Sequence, residues 1–191
     1  TERHQPQEVV QMLHEYLTRM VDQVLEQQGT LDKFIGDAVM AIFGAPLPQP
    51  DHAERACRAA LGMIRELETL HTRWAAEGRE PFRMGIGINT GEMVVGNLGS
   101  EQLFDYTVVG DGVNLAARLE SLNKEYKTTK PIIISESTYL AAKDVLDVRH
   151  LGEVTVKGKS RPVVIYELRG LRDAGEQALV RASLTTGPER A

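Results

Sequence analysis

Three groups of polar residues in this sequence have types and spacing that suit chemistry. Asp37 follows Gly36 between two apolar stretches, where a Gly-Asp pair predicts a tight hairpin turn, since such residues tolerate positive φ angles. Asn114 and Arg118 are four residues apart and therefore share one face of a predicted helix. Lys157 belongs to a cationic Lys-Gly-Lys turn. A small anionic ligand suits the two groups that carry positive charge, and the alternative for each of the three is an ordinary turn or solvated residue.

Composition limits the classes of protein to consider. The 191 residues, 42% of them hydrophobic, fit one domain over 1–170 followed by a tail or linker over 171–191. A net charge of -5 argues against nucleic-acid binding. We expect no membrane contact from this segment and a cytoplasmic location, because no apolar run approaches the roughly 20 residues of a membrane span. The single cysteine, Cys57, excludes an intrachain disulfide, and we expect it to be buried and inert.

The elements that must position these groups follow from hydrophobic periodicity. We expect helices at 6–27, 51–78, 113–122 and 136–143, a hairpin over 31–43, and strands at 82–89, 93–96, 105–110, 131–135, 148–156 and 163–168. The strand at 93–96 follows a turn over Thr90-Gly-Glu, so we expect it to pair with the strand at 82–89. Because strands and helices do not alternate strictly, the natural architecture is α+β, a mixed β-sheet sandwich with helices packed against it.

Several local features carry further expectations. Asp51 should cap the second helix, with Glu54 completing a capping box, and Asp111 should cap the helix that bears Asn114 and Arg118. Gly85 and Gly87 leave one face of the strand over 82–89 without side chains. That face either lets a ligand approach the backbone or accommodates a packed helix.

Three motifs in order resemble one family: D-K-F-I-G-D-A-V-M-A-I-F-G-A-P, M-G-I-G-I-N-T-G and F-D-Y-T-V-V-G-D-G-V-N-L-A-A-R-L-E. They are similar to the class III nucleotidyl cyclases, and most similar to the bacterial adenylyl cyclases that work as homodimers. The resemblance covers residues 1 to about 169. It implies a ferredoxin-like, palm-type core and a lyase reaction in which ATP gives cyclic AMP and pyrophosphate.

The resemblance also implies roles for single residues. Asp37 matches one of two family aspartates that hold two divalent ions, Mg²⁺ or Mn²⁺, per site. Arg118 matches the arginine that contacts the α-phosphate, and Asn114 matches the asparagine that positions the ribose. Lys157 resembles the lysine that meets the outer phosphates, for which Lys159 is a weaker candidate.

Two matched positions bear on the choice of base. Lys33 matches the residue that donates to a ring nitrogen of adenine, and Thr107 matches the residue that faces the exocyclic amine. Guanine presents the opposite polarity, and guanylyl cyclases carry a glutamate in place of the lysine. The pair therefore favours ATP, although aspartate is common at the threonine position.

The family pattern also implies partners. Its metal aspartates come from one subunit and the base-reading pair, asparagine and arginine from the other, so the resemblance implies a head-to-tail homodimer. The family's first metal aspartate lies on a strand ahead of the first helix, and this sequence has no matching residue. We expect that strand, and a regulatory domain, to lie upstream in the full protein.

Other readings of the sequence make different predictions. A catalytically silent cyclase homology module would bind nucleotide without turnover, and a guanylyl cyclase would prefer GTP. A diguanylate cyclase would need a G-G-D/E-E-F-like hairpin, which Ile35-Gly-Asp-Ala does not match. A plain interaction domain would leave the co-occurrence of the matched positions unexplained.

Overall fold

A computed structural model describes residues 6–100, 102, 104–155 and 162–173 of the chain. In these residues the order of elements is α1 (Pro6–Glu26), β1 (Thr30–Ile35), β2 (Ala38–Ile42), α2 (His52–Ala76), β3 (Ile86–Ile88), β4 (Val94–Gly99), β5 (Phe104–Val109), α3 (Asp111–Leu122), β6 (Ile132–Ser135), α4 (Glu136–Ala142), β7 (Leu146–Val154) and β8 (Val163–Leu171). The chain divides into two compact units. The first unit spans 1–84 and 92–110, and the second spans 85–91 and 111–191.

The first unit is built on the two long helices. Apolar residues at helical spacing give α1 and α2 facing stripes, whose buried side chains form one cluster with Tyr16, Met20, Leu67 and Trp74 among its members. The unit also contains two antiparallel hairpins, β1 with β2 and β4 with β5. Cys57 is a buried free thiol on α2, as the sequence predicts.

The second unit is a four-stranded mixed sheet in the order β3-β6-β8-β7. β3 and β6 are parallel, and β8 is antiparallel to both of its neighbours. Every residue of β6 is buried, which agrees with its run of three isoleucines, Ile132, Ile133 and Ile134. Helix α3 covers this sheet with Leu115, Leu119 and Leu122, which pack in one cluster with Ile133 and Ile165. The mixed sheet and packed helices confirm the predicted α+β class.

Two predicted strands differ from the structure. The strand expected over 82–89 is only Ile86–Ile88, because Phe82 and Met84 pack instead against the helical cluster of the first unit. The strand that begins near Val94 was expected to pair with β3, but β4 pairs with β5. The alternation of apolar residues thus predicted strands in both segments correctly, but the predicted pairing between them was wrong.

The predicted helix caps are only partly correct. Asp51 is the N-cap residue of α2, but its side chain makes no capping hydrogen bond. Its Oδ1 instead accepts from Nε of Arg55 at 2.7 Å, and Glu54 pairs in the same way with Arg58. Asp111 is the first residue of α3 rather than the residue before it. An arginine four residues along the helix competes for the α2 carboxylates, which the capping-box pattern ignores.

The helices of the described residues give no sign of a membrane span. Within 6–100, 102, 104–155 and 162–173, no helix combines the length and apolar character needed to cross a bilayer.

Candidate active site

Asp37 lies at the tip of the β1–β2 hairpin. The turn has two residues, with a φ of +63° at Gly36, while Asp37 keeps a negative φ. These signs are those of a type II′ turn, whose twist matches that of the flanking strands. Asp37 is exposed. The charge of Asp37 also affects a buried residue of the first unit. Burial raises the pKa of Tyr16 to about 12, and the negative charge of Asp37 adds to the increase.

Lys33 and Thr107 come from β1 and β5 and meet around the carboxylate of Asp32. The hydroxyl of Thr107 donates to Oδ2 of Asp32 at 2.8 Å, and Nζ of Lys33 lies 3.8 Å from Oδ1 of Asp32. The Asp32 side chain is 0% exposed, whereas that of Lys33 is 39% exposed. The first unit therefore joins the two residues predicted to read the base through a carboxylate that the sequence analysis did not assign.

A β-bulge places Asp32 there. The pairing of β1 with β2 shifts between Leu31, opposite Ala41, and Lys33, opposite Met40, so Asp32 has no partner across the hairpin. In a regular strand Asp32 and Lys33 would point to opposite faces. A bulge adds one residue and re-aims the side chains beside it, which allows neighbouring acidic and basic side chains to meet.

Asn114 and Arg118 lie on the exposed face of α3. Both are exposed, whereas the buried face carries leucines at helical spacing. The guanidinium of Arg118 lies 3.5 Å from Oε1 of Glu125, and both side chains are about half exposed. An exposed ion pair of this kind contributes about 0–1 kcal/mol, so Arg118 is free to move to an incoming anion.

Contacts with β3, and with Asn89 just after it, hold α3 in position within the second unit. Nδ2 of Asn89 donates to the carbonyl of Gly112 at 3.1 Å near the start of the helix, and Nδ2 of Asn123 donates to the carbonyl of Ile86 at 3.1 Å just after its end. A Cβ atom on Gly87 would lie 2.1 Å from the carbonyl oxygen of Ala116. Of the two sequence interpretations of the bare strand face, packing of a helix is correct.

The predicted site residues that the structure describes fall into two groups, one in each unit. Asp37, Lys33 and Thr107 belong to the first unit, and Asn114 and Arg118 belong to the second. Lys157 and Lys159 lie outside the described residues. Asp32 is the residue that sequence reasoning missed, and a charged residue next to Lys33 inside an otherwise apolar hairpin was the signal that pointed to it.

The donor chemistry of Asp37 suits a hard divalent cation, since Mg²⁺ prefers carboxylate oxygens. In the part of the chain that the structure describes, no three His, Cys, Asp or Glu side chains are grouped to hold a metal ion. His71 has a different partner, since its Nε2 is 3.0 Å from the carbonyl oxygen of Phe82. Asp37 therefore fits as one contributor to a metal site and does not complete one.

Comparison with known sequences gives a consistent result. A family model described as the adenylate and guanylate cyclase catalytic domain matches residues 1–170. Adenylate cyclase 1 of Rhizobium meliloti is 40% identical over 171 residues, which are 90% of this chain and 25% of that protein. The chain therefore spans about a quarter of the length of this relative.

Solved structures agree with the sequence matches. The adenylyl cyclase CyaB from P. aeruginosa is 38% identical with a TM-score of 0.82, covering 90% of this chain and 87% of that one. The guanylyl cyclase Cya2 is 42% identical with a TM-score of 0.82, covering 91% of this chain and 86% of that one. Similarity of this degree extends to cyclases of both base specificities, so the base must be argued from the site.

Proposed function

Because the chain belongs to the class III nucleotidyl cyclases, the family of adenylate and guanylate cyclase catalytic domains, we propose that it converts ATP to 3′,5′-cyclic AMP and pyrophosphate. The 3′-oxygen of the ribose attacks the α-phosphorus, the bond from that phosphorus to the pyrophosphate oxygen breaks, and the hydroxyl proton is lost. Catalysis then requires alignment of the attacking oxygen and stabilisation of the charge on the phosphoryl group.

The exposed face of α3 supports the phosphoryl and ribose roles. The planar fork of Arg118 suits the oxygens of an α-phosphate better than a lysine would. Asn114 lies one turn earlier and has both an amide donor and an acceptor to orient the ribose. Lys157 is proposed to meet the outer phosphates. The exposure of Asn114 and Arg118 supports these roles, since a ligand can reach both side chains.

Asp37 is proposed as one ligand of a pair of divalent cations, Mg²⁺ or Mn²⁺. When bound, such cations lower the pKa of the attacking hydroxyl and neutralise charge on the phosphates. The contribution of the chain is positional, because a two-residue turn holds the carboxylate on a short rigid hairpin. Class III cyclases are generally metal-dependent, and the exposed carboxylate of Asp37 is a ligand of the type that such cations prefer.

A head-to-tail homodimer is proposed as the active form. Large apolar side chains are exposed on the hairpins of the first unit, with Val94 69%, Phe104 59% and Val109 55% exposed on β4 and β5, and Ile35 58% exposed beside Asp37. Val94 and Val109 are cross-strand partners, and exposed apolar surface of this kind supports an interaction site. In the proposed dimer Asp37 of one subunit acts with Lys33, Thr107, Asn114 and Arg118 of the other, so each pair of chains makes two equivalent sites.

The observation that supports ATP as the substrate is that Lys33 and Thr107 both lie next to the carboxylate of Asp32. Lys33 offers only donors, which suits the unprotonated ring nitrogen of adenine and not the protonated one of guanine. Thr107 is 8% exposed and donates its hydroxyl to Asp32, the same carboxylate that lies near the Lys33 ammonium. The pair therefore presents a donor next to an acceptor, which is complementary to the Watson–Crick edge of adenine.

The deciding experiment is an assay of the full-length protein with ATP or GTP at equal concentration and Mg²⁺ or Mn²⁺. We expect cyclic AMP to form faster than cyclic GMP, with activity lost in EDTA. Faster cyclic GMP formation would reassign the protein as a guanylyl cyclase. Nucleotide binding without either product would identify a silent homology module.

A further inference from the structure

We infer that Asp32 is a positioning residue that sets base specificity by fixing the hydrogen-bond polarity of Thr107. The inference rests on the proposed function for the identity of the base, and it adds a residue and a physical mechanism to the pair that contacts that base.

Asp32 is buried between the two residues that are proposed to read the base. Its side chain is 0% exposed, and its Oδ2 accepts the Thr107 hydroxyl at 2.8 Å. Its Oδ1 is buried and has no hydrogen-bond partner, with the ammonium of Lys33 as the near cation at 3.8 Å. A buried carboxylate with a free oxygen is costly. Its position is therefore better explained by a task at this site than by stability alone.

The hydrogen bond from Thr107 to Asp32 removes an ambiguity. A threonine hydroxyl has one proton and two lone pairs, and by rotation it can either donate to a ligand or accept from one. Once its proton is committed to Asp32, only the lone pairs remain for the ligand. Thr107 can then accept from the exocyclic amine of adenine, but it cannot donate to the exocyclic oxygen of guanine.

Asp32 acts on Lys33 as well. The carboxylate attracts the ammonium and limits the positions it can take, although Lys33 remains 39% exposed and so accessible to a ligand. Both residues that read the base are thus oriented by one anion. The bulge between Leu31 and Lys33 is the structural requirement for this arrangement, because regular alternation would separate the two charged side chains.

The sharpest test compares ATP with purine riboside triphosphate, which lacks the exocyclic amine but keeps the ring-nitrogen acceptor. Lys33 meets the same group in both nucleotides, so their ratio isolates the contact with Thr107. In the wild-type full-length protein we expect kcat/KM to favour ATP by about five- to tenfold, the value of one hydrogen bond. Absence of this preference would overturn the inference without any variant.

Variants then assign the effect to Asp32. Asp32→Asn can turn its amide donor toward Thr107, which frees the hydroxyl proton, so we expect the preference to fall to about twofold or less and the ATP:GTP ratio to fall with it. Asp32→Ala is the second variant, in case the first does not fold. The matched control is Asp105→Asn, an exposed aspartate on the same strand as Thr107, which should leave both ratios unchanged.

A double-mutant comparison excludes a merely structural role. In a Thr107→Val background the Asp32→Asn change should no longer alter the ATP to purine riboside ratio, because the hydroxyl that it orients is gone. Equal effects of Asp32→Asn with and without the hydroxyl would contradict the inference. Calorimetric affinities for the α,β-methylene analogues of ATP and GTP give a second readout. A protein without turnover that still loses its preference for the adenine analogue in Asp32→Asn would refute the proposed function and keep this one.

Discussion

The guanidinium of Arg118 is the group on which the proposed chemistry depends most directly. Arg118→Ala removes a donor that is needed as charge builds on the α-phosphate, so we expect kcat to fall by ~10²–10³ with little change in KM. Arg118→Lys should recover only part of the loss, because lysine keeps the charge but not the planar fork. The matched control is Arg19→Ala on α1, where the arginine pairs with Glu66. Unchanged turnover in Arg118→Ala would remove the residue from the site.

Asn114 allows a separate prediction, because it is proposed to orient the sugar and not the phosphate. Asn114→Ala should lower turnover by a similar ~10²–10³, while the protein folds normally, since the side chain is exposed. Steady-state assays with ATP and a thermal melt check both statements. Loss of folding in Asn114→Ala would indicate that the residue supports α3 instead.

Cys57 tests the packing of the first unit. Burial raises its pKa from the ordinary 9.0 to about 12, and the charge of Glu54 adds to the increase, which leaves about a thousandfold less thiolate at pH 8. We expect dithionitrobenzoate to label the native protein very slowly and the guanidinium-denatured protein at once. Because the folded state keeps this proton longer than the unfolded chain, stability should fall as pH rises from about 9 toward 12. Rapid native labelling would contradict the described core.

Close packing of α3 against β3 positions Asn114 and Arg118, the two side chains predicted to be catalytic. A Cβ atom at residue 87 would lie 2.1 Å from the carbonyl oxygen of Ala116 and 2.3 Å from the amide nitrogen of Glu120. Both are backbone atoms and cannot rotate away. Gly87→Ala should therefore displace the helix and destabilise the protein by about 1–3 kcal/mol, measured by chemical denaturation.

The control for this prediction lies in the same sheet. Gly170 on β8 has no atom within 4 Å of an added Cβ, so Gly170→Ala should change stability by less than about 0.5 kcal/mol. Gly87→Ala should also lower turnover beyond its effect on folding, since Asn114 and Arg118 move with α3. Equal stabilities of the two variants would show that the helix does not rest on the glycine.

The elements show where sequence reasoning succeeds and where it stops. Apolar residues at helical spacing predicted α1 nearly to the residue, and a short apolar run predicted the buried strand β6. The Gly36-Asp37 pair predicted the hairpin. Pairing of β4 with β5 was not predicted, because alternation identifies a strand without identifying its partner. The bulge at Asp32 was not predictable either, since one inserted residue leaves no mark on composition. Lys33 and Thr107 were assigned through the family resemblance, which gave Asp32 no role at this site.

The assembly proposed for the whole molecule explains why the exposed hairpins carry large apolar side chains. If each site needs Asp37 from one chain and Arg118 from another, a monomer has no complete site. Specific activity per chain should therefore fall when the protein is diluted below its dimer dissociation constant. A coupled assay over a dilution series, compared with sedimentation at the same concentrations, checks this. Activity that is independent of concentration while the protein dissociates would rule out a shared site.

Mixing two inactive variants tests the shared site more directly. Asp37→Ala and Arg118→Ala should each be nearly inactive alone. In a mixed dimer, however, one site carries both changes and the other carries neither. An equimolar mixture in which subunits exchange freely contains about half mixed dimers, so activity should recover to about a quarter of the wild-type value. The control is a mixture of Asp37→Ala with Asp37→Asn. Both chains lack the Asp37 carboxylate, so no pairing of them restores a complete site. Absence of recovery, with subunit exchange verified by differently tagged chains, would show that Asp37 and Arg118 act within one chain or not at all.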